Sequence, residues 1–371
     1  SLGLLFVSPH HAGAAGEVLA AAREAAGVER LIGCVGEAVV GGPREVEDGP
    51  AVAVWLAALP GAVETFGVSF ARTGRGGVLH GYRPVPGSGA HLLIADPFSF
   101  PAELFLRYLE ERLPGTVVMG GMASGATGPG GTLLFLDGEV RTEGAVGAAL
   151  GVGLHPLVSQ GCRPVGGPYT VTAARGNVVL ELGGVPPLRR LAEILQRVPP
   201  EDAQLLRRGV QVGLVIDEYA EDPGPGDFLI RGVLGFDPRT GAMAVGEEVE
   251  VGRTVRFHVR DARSADRDLR EALERERAAG TFAGALLFTC NGRGSRLFGR
   301  PNHDAALVEE LLGGLPLAGA FFAGEIGPVG GRNFLHGYTA SLALFGEGPA
   351  AHQAQRSTSI ASAGPAGGRS R

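Results

Sequence analysis

Cys290-Asn291-Gly292-Arg293-Gly294 closes an apolar run, GALLFT, and sets a thiol, an amide and a guanidinium on a backbone loosened by two glycines. Such a loop suits an anion: Arg takes a carboxylate in bidentate fashion, and N–H groups exposed by glycine add donors. Downstream, Glu325 ends a second apolar run, AFFAG, and Arg332 and His336 follow in GGRNFLHGY. Glu37 holds the matching place in an earlier GCVGE. A carboxylate delivered from inside a sheet is costly unless paired, either with an Arg or with the amine of a ligand. Two chemistries fit. In the first, Arg293 and Arg332 hold a ligand's carboxylate, Glu325 holds its amine, and Asn291 and the loop amides at Gly292 and Gly294 orient it. In the second, Cys290 is a nucleophile, His336 its base and Glu325 the orienting carboxylate. Spacing alone does not bring those three side chains together, and Cys at a buried strand end is usually a small hydrophobe. Binding without catalysis is therefore the expectation.

The elements that must position these residues recur along the chain. Three stretches align: GLLFVSPHH with EVLAAAREAAG and LIGCVGEAVVGG (3–42), HLLIADPFSF with AELFLRYLEERLPG and VVMGGMASGATGPGG (91–131), and ALLFTCNGRG with DAALVEELLGG and LAGAFFAGEIGPVGG (285–331). Each reads as strand, polar loop, helix, strand and Gly-rich loop. Leu307, Leu311 and Leu312 fall on one helical face, as do Leu104, Tyr108 and Leu109. The short apolar runs suit strands buried on both faces. An α/β fold of mixed α+β type follows, with mixed sheets, helices packed outside and αββα layers as the arrangement that best accommodates three such units.

Between the second and third units lies a β-rich stretch. A hairpin is expected over 165–184, turning at Arg175-Gly176-Asn177, then two helices that each open on Pro-Pro. Strands are expected over 210–217, 228–236 and 254–261, with a turn at Asp237–Gly241 joining the last two. DRDLREALERERAAG (266–280) is a charged surface helix. The domain boundary is expected near 200–209, giving one domain over 1–205 and another over 206–346. Residues 347–371, rich in Ala, Gly, Ser and Arg, are expected to be a disordered tail.

Composition narrows the function. Hydrophobic residues make up 44 % of the 371 and charged residues 19 %, enough to bury a sizeable core. All 33 basic residues are Arg, which excludes Schiff-base, P-loop and Ser–Lys chemistry. A net charge of -6 argues against a nucleic-acid surface. Cys34, Cys162 and Cys290 form no disulfide framework, a reducing interior fits, and the histidines lack zinc spacing. No apolar run is long enough to span a membrane. The first residue is not Met, so trimming and removal of a leader both stay open; a cytoplasmic location is expected, an organelle being the alternative.

CNGRG with the following LFG and NHD, PLAGAFFAGEIGPVGG and FLHGYTASL resemble the C-terminal part of FIST-domain proteins. GCRPVGGPYTVTAARGNVVLELGG and FLIRGVLGFDPRTGAM continue that resemblance, and LIGCVGEAV with VVMGGMAS and TLLFLDGEV resembles the N-terminal FIST part. The resemblance covers about 1–346. It implies a sensory domain that binds a small, amino-acid-like ligand and is often attached to signalling modules. Some relatives of this kind are tied to haem and gas sensing, so haem is the alternative cofactor, and others to F-box proteins. No such module flanks this sequence, which implies a separate signalling partner.

Overall fold

The computed structural model describes residues 1–347, apart from positions 75, 221, 222 and 225. Two sheets lie face to face. The smaller has five strands in the order Glu139–Arg141, Leu134–Leu136, Leu31–Val35, Leu2–Val7, Val52–Ala57. The larger has twelve. Its main path runs from His155–Gln160 through Thr339–Glu347, Thr281–Cys290, Leu317–Val329, Val117–Ala123, Ala90–Ala95, Ala145–Leu150 and Val63–Thr73 to Gly76–His80. Leu317–Val329 is its hub: the short strands Val39–Gly41 and Arg332–His336 branch from it, and Arg44–Val46 pairs with the first of these.

The period-two alternation of each strand explains the layering. Leu4 and Phe6 of the first strand face inward and meet Leu92, Ile94, Phe288 and Phe322 of the larger sheet. Leu5 and Val7 face outward and pack under Leu19 of the helix Ala15–Ala26. On the far side, Phe105 and Leu109 of the helix Ala102–Arg112 cover Leu93 and Ala95. Leu269 and Leu273 of Ala262–Ala279, with Leu307 and Leu311 of His303–Leu312, cover Leu287 and Leu342. The order is helix, sheet, sheet, helix, the arrangement expected to accommodate the strand–helix–strand units.

The three aligned stretches form three parallel strand pairs in one register: Leu5 opposite Gly33, Leu93 opposite Gly120 and Leu287 opposite Gly319. At each glycine a Cβ would fall within 1.9 Å of the facing leucine's carbonyl oxygen, so the backbones approach as only glycine allows.

Residues 162–260 leave the layers and close a six-stranded barrel, in the order Cys162–Arg175, Val178–Leu182, Met243–Val245, Phe228–Phe236, Gln211–Val215, Thr254–Arg260. The first and last strands pair to seal it. Helices Pro187–Leu195 and Pro200–Arg208 contribute Leu191, Ile194 and Leu206 to its core. The division expected near 200–209 falls inside this barrel. The turn at Asp237–Gly241 leads from Phe228–Phe236 into Met243–Val245, not directly into Thr254–Arg260, which pairs instead with Gln211–Val215. Glu347 ends the last strand, and the rest of the expected tail lies outside the described residues. No described helix is long and apolar enough to cross a membrane.

Candidate functional site

The strand Thr281–Cys290 ends where the layers meet the barrel, and the CNGRG turn is built into that junction. Asn291 N–H donates to the Phe322 carbonyl (2.9 Å) and Arg293 N–H to the Cys290 carbonyl (2.8 Å). Arg260, the last residue of the barrel strand Thr254–Arg260, donates from its guanidinium to the Gly292 carbonyl. A Cβ at Gly292 would collide with that guanidinium, and one at Gly294 with the Glu47 carboxylate, at 2.8 and 2.7 Å. Both contacts are with the ends of flexible side chains, so the charged neighbours could shift to admit a Cβ. Gly294 nonetheless needs its positive φ of 56°.

Arg293 does not face solvent. It is fully buried, and its fork grips Asp304 through Nε (2.6 Å) and Nη2 (2.8 Å). Asp304 also accepts from Thr289 Oγ1 (2.8 Å) and pairs with His303 Nδ1 (2.9 Å), while the Arg293 guanidinium lies over the Phe298 ring. Burial alone would raise the Asp304 carboxyl; Arg293 and His303 override it and hold the group well below the usual carboxylate range. The carboxylate that Arg293 was expected to take from a ligand is supplied internally, since an unpaired guanidinium would not be stable there. Only Nη1 stays without a partner.

Glu325 is likewise fully buried. Its Oε2 accepts from Thr339 N–H (3.0 Å) and Oγ1 (2.7 Å), and Oε1 has no partner. Burial pushes its carboxyl up to about 8. Cys290 sits close by; burial first, then the Glu325 charge, pushes its thiol up to about 12. Cys162 at the start of the barrel is also pushed up by burial to about 12, with Cys290 and Arg260 near it. His336 is buried, hydrogen-bonds the Gly327 carbonyl through Nε2 (2.9 Å), and is lowered by burial to about 4, so the ring is neutral. It pairs across strands with Glu325, but its free edge is committed to backbone rather than to Cys290.

The remaining expected residues lie apart. Arg332 pairs with Glu110 (3.0 Å) and lines a different cleft between the helix Ala102–Arg112 and the barrel. Glu37 forms an ion pair with Arg296, whose Nη1 also donates to the Asn291 carbonyl (2.8 Å).

Sequence reading missed the residues that open this junction to solvent. A cleft of about 600 Å³ is lined by Gln211, Arg260 and Tyr338 at its inner end and by Arg208, Arg263 and Arg296 around it. The Arg260 guanidinium lies 5.0 Å from the Tyr338 ring centroid. Tyr338 has φ of 67°, a conformation that costs a non-glycine residue and that clusters at binding sites. Gly161 N–H donates to its carbonyl (2.9 Å), tying the turn to the start of the barrel. Arg260 Nε and Gln211 Oε1 are buried without partners. The available signal was an Arg-Asp pair at a strand end and a tyrosine after His336-Gly337. Among the described residues no group of three or more His, Cys, Asp or Glu is placed to hold a metal ion.

Comparison with known proteins agrees with this architecture. The FIST N domain model matches residues 1–185 and the FIST C domain model residues 187–328. An uncharacterized protein of Mycobacterium tuberculosis (strain ATCC 25618 / H37Rv) is 54% identical over 350 residues, 93% of this chain and 91% of its own. An uncharacterized protein of Mycobacterium bovis is 52% identical over 349 residues, 93% of this chain and 90% of its own. With two family models covering nearly the whole chain, the protein belongs to the FIST family, a family of sensory domains.

Proposed function

We propose that this protein binds a small carboxylate-bearing ligand, without catalysis, in the cleft between the barrel and the short helix Ser295–Phe298 that follows the CNGRG turn. The observation that carries this reading is Arg260. Its guanidinium is half-buried at the inner end of the cleft, its Nε has no partner, and no carboxylate lies within ion-pair distance among the described residues. A half-buried guanidinium without a counter-ion is costly, and an incoming carboxylate would supply one. Asn291 and Gly292 then act through backbone, their carbonyls holding Arg296 and Arg260 in place. Arg293 and Glu325 lie behind them, Arg293 locking the turn and Glu325 the Thr339 backbone. A Cys290 thiol held near 12 carries no thiolate at neutral pH, which favours binding over nucleophilic attack. Ligand signals would pass to a separate partner through the junction between barrel and layers, where Tyr338 and Arg260 sit.

The test is thermal and urea unfolding with butyrate or alanine added to wild type and to Arg260→Met. Ligand at about 100 times its dissociation constant stabilises by about 2.7 kcal/mol. Wild type should show that gain and the variant should lose it. No stabilisation by either probe, or an equal gain in the variant, overturns the reading.

A further inference from the structure

The charge lining the same cleft is not balanced. Four arginines, Arg208, Arg260, Arg263 and Arg296, face two acids, Glu201 and Asp261. Asp261 is already held by Arg163 Nε (2.7 Å) and caps the helix Ala262–Ala279 by accepting from Arg263 N–H (3.1 Å). Glu201 answers Arg263 (3.6 Å), and Arg296 has Glu37. Arg208 and Arg260 are left with no carboxylate in ion-pair range among the described residues, although acids outnumber arginines in the chain by 39 to 33. The two come from different walls: Arg260 from the end of a barrel strand, Arg208 from the last turn of the helix Pro200–Arg208 at the exposed side. Gln211 lines the cleft with them, its buried side chain set against Tyr338.

Resting on the carboxylate-binding reading above, we infer that the ligand carries two anionic groups, one for Arg260 and one for Arg208. Two cations on separate walls discriminate by charge number: a monoanion satisfies Arg260 and leaves Arg208 solvated, whereas a dianion engages both. At the exposed Arg208 the second contact is worth roughly two- to fivefold in affinity.

Calorimetric titration with butyrate, glutarate and methyl phosphate tests this on wild type and on Arg208→Gln. Arg208 is exposed, so the variant should keep the wild-type melting temperature. Glutarate should bind wild type about two- to fivefold tighter than butyrate. Arg208→Gln should erase the preference for glutarate while leaving butyrate affinity unchanged. If butyrate binds but glutarate binds no better, or if the preference survives in Arg208→Gln, the two-charge assignment falls and the carboxylate site stands. If methyl phosphate, with its charges on one group, outcompetes glutarate, the two-wall arrangement is overturned. If no probe binds, both readings fall together.

Discussion

Arg293 and Asp304 show how a residue that looks like a ligand contact becomes a structural one. A bidentate pair with no exposure is stable only while both members are present, because removing one strands a buried charge. Asp304→Asn should therefore cost about 3–5 kcal/mol in urea unfolding. Arg293→Met with Asp304→Leu should recover most of that loss, since a buried pair contributes little net stability over a packed apolar replacement. If the double variant is as unstable as the single one, the pair has a role beyond mutual compensation. The Cys290 thiol carries a second prediction at this scale. Its high pKa and burial should make iodoacetamide labelling at pH 7 far slower than for a free thiol, with full reactivity returning in denaturant. Labelling as fast as free thiol would revive the nucleophile reading. Residue types were legible in the sequence; which of them reach solvent was not, because Asp304 lies one helix away and its partnership depends on packing.

At the level of elements, the strand–helix–strand units were readable because their apolar periods are strong and local. The Leu–Gly register of the three parallel pairs emerges only from the strand pairing, Gly120 lying one place further along its stretch than Gly33 and Gly319 do in theirs. The glycines are its sharpest test. Gly319→Ala places a methyl 1.9 Å from the Leu287 carbonyl oxygen, against backbone that cannot yield. It should destabilise by about 3 kcal/mol or abolish soluble expression. Gly16→Ala, in the helix Ala15–Ala26 with nothing within 4 Å of the new Cβ, should instead stabilise by roughly 0.5–1 kcal/mol. Equal effects at the two sites, read by thermal unfolding, would mean that close approach is not what selects Gly319. The barrel strands were readable as strands, yet their closure was not. Pairing Cys162–Arg175 with Thr254–Arg260 is a contact across most of the insertion, and no local pattern specifies it.

For the whole molecule, the buried ionisable groups set the response to pH. Burial holds Glu325 and Glu45 at about 8, above the ordinary value of 4.5, so the folded protein keeps protons that the unfolded chain releases. Stability from these groups is present at low pH and is lost as pH rises from about 4.5 to 8. His91, His258 and His336, each lowered by burial to about 4, act in the opposite sense, losing stability as pH falls from 6.5 towards 4. Above pH 6.5 the carboxyls act without these three histidines. Unfolding free energy should therefore fall between pH 6.5 and 8, and Glu325→Gln should make that fall shallower, leaving the share of Glu45. An unchanged slope in Glu325→Gln would mean that Glu325 is ionised in the folded state. The sequence by itself determined the layers, because alternating apolar runs and three-turn helices can bury their faces in few ways, and it determined which loop carries a thiol, an amide and a guanidinium. Only the tertiary structure decided which charges remain unpaired. Whether an arginine meets a carboxylate depends on residues far apart in the chain, such as Arg163 reaching Asp261 and leaving Arg260, its immediate neighbour, to face the cleft without an acid.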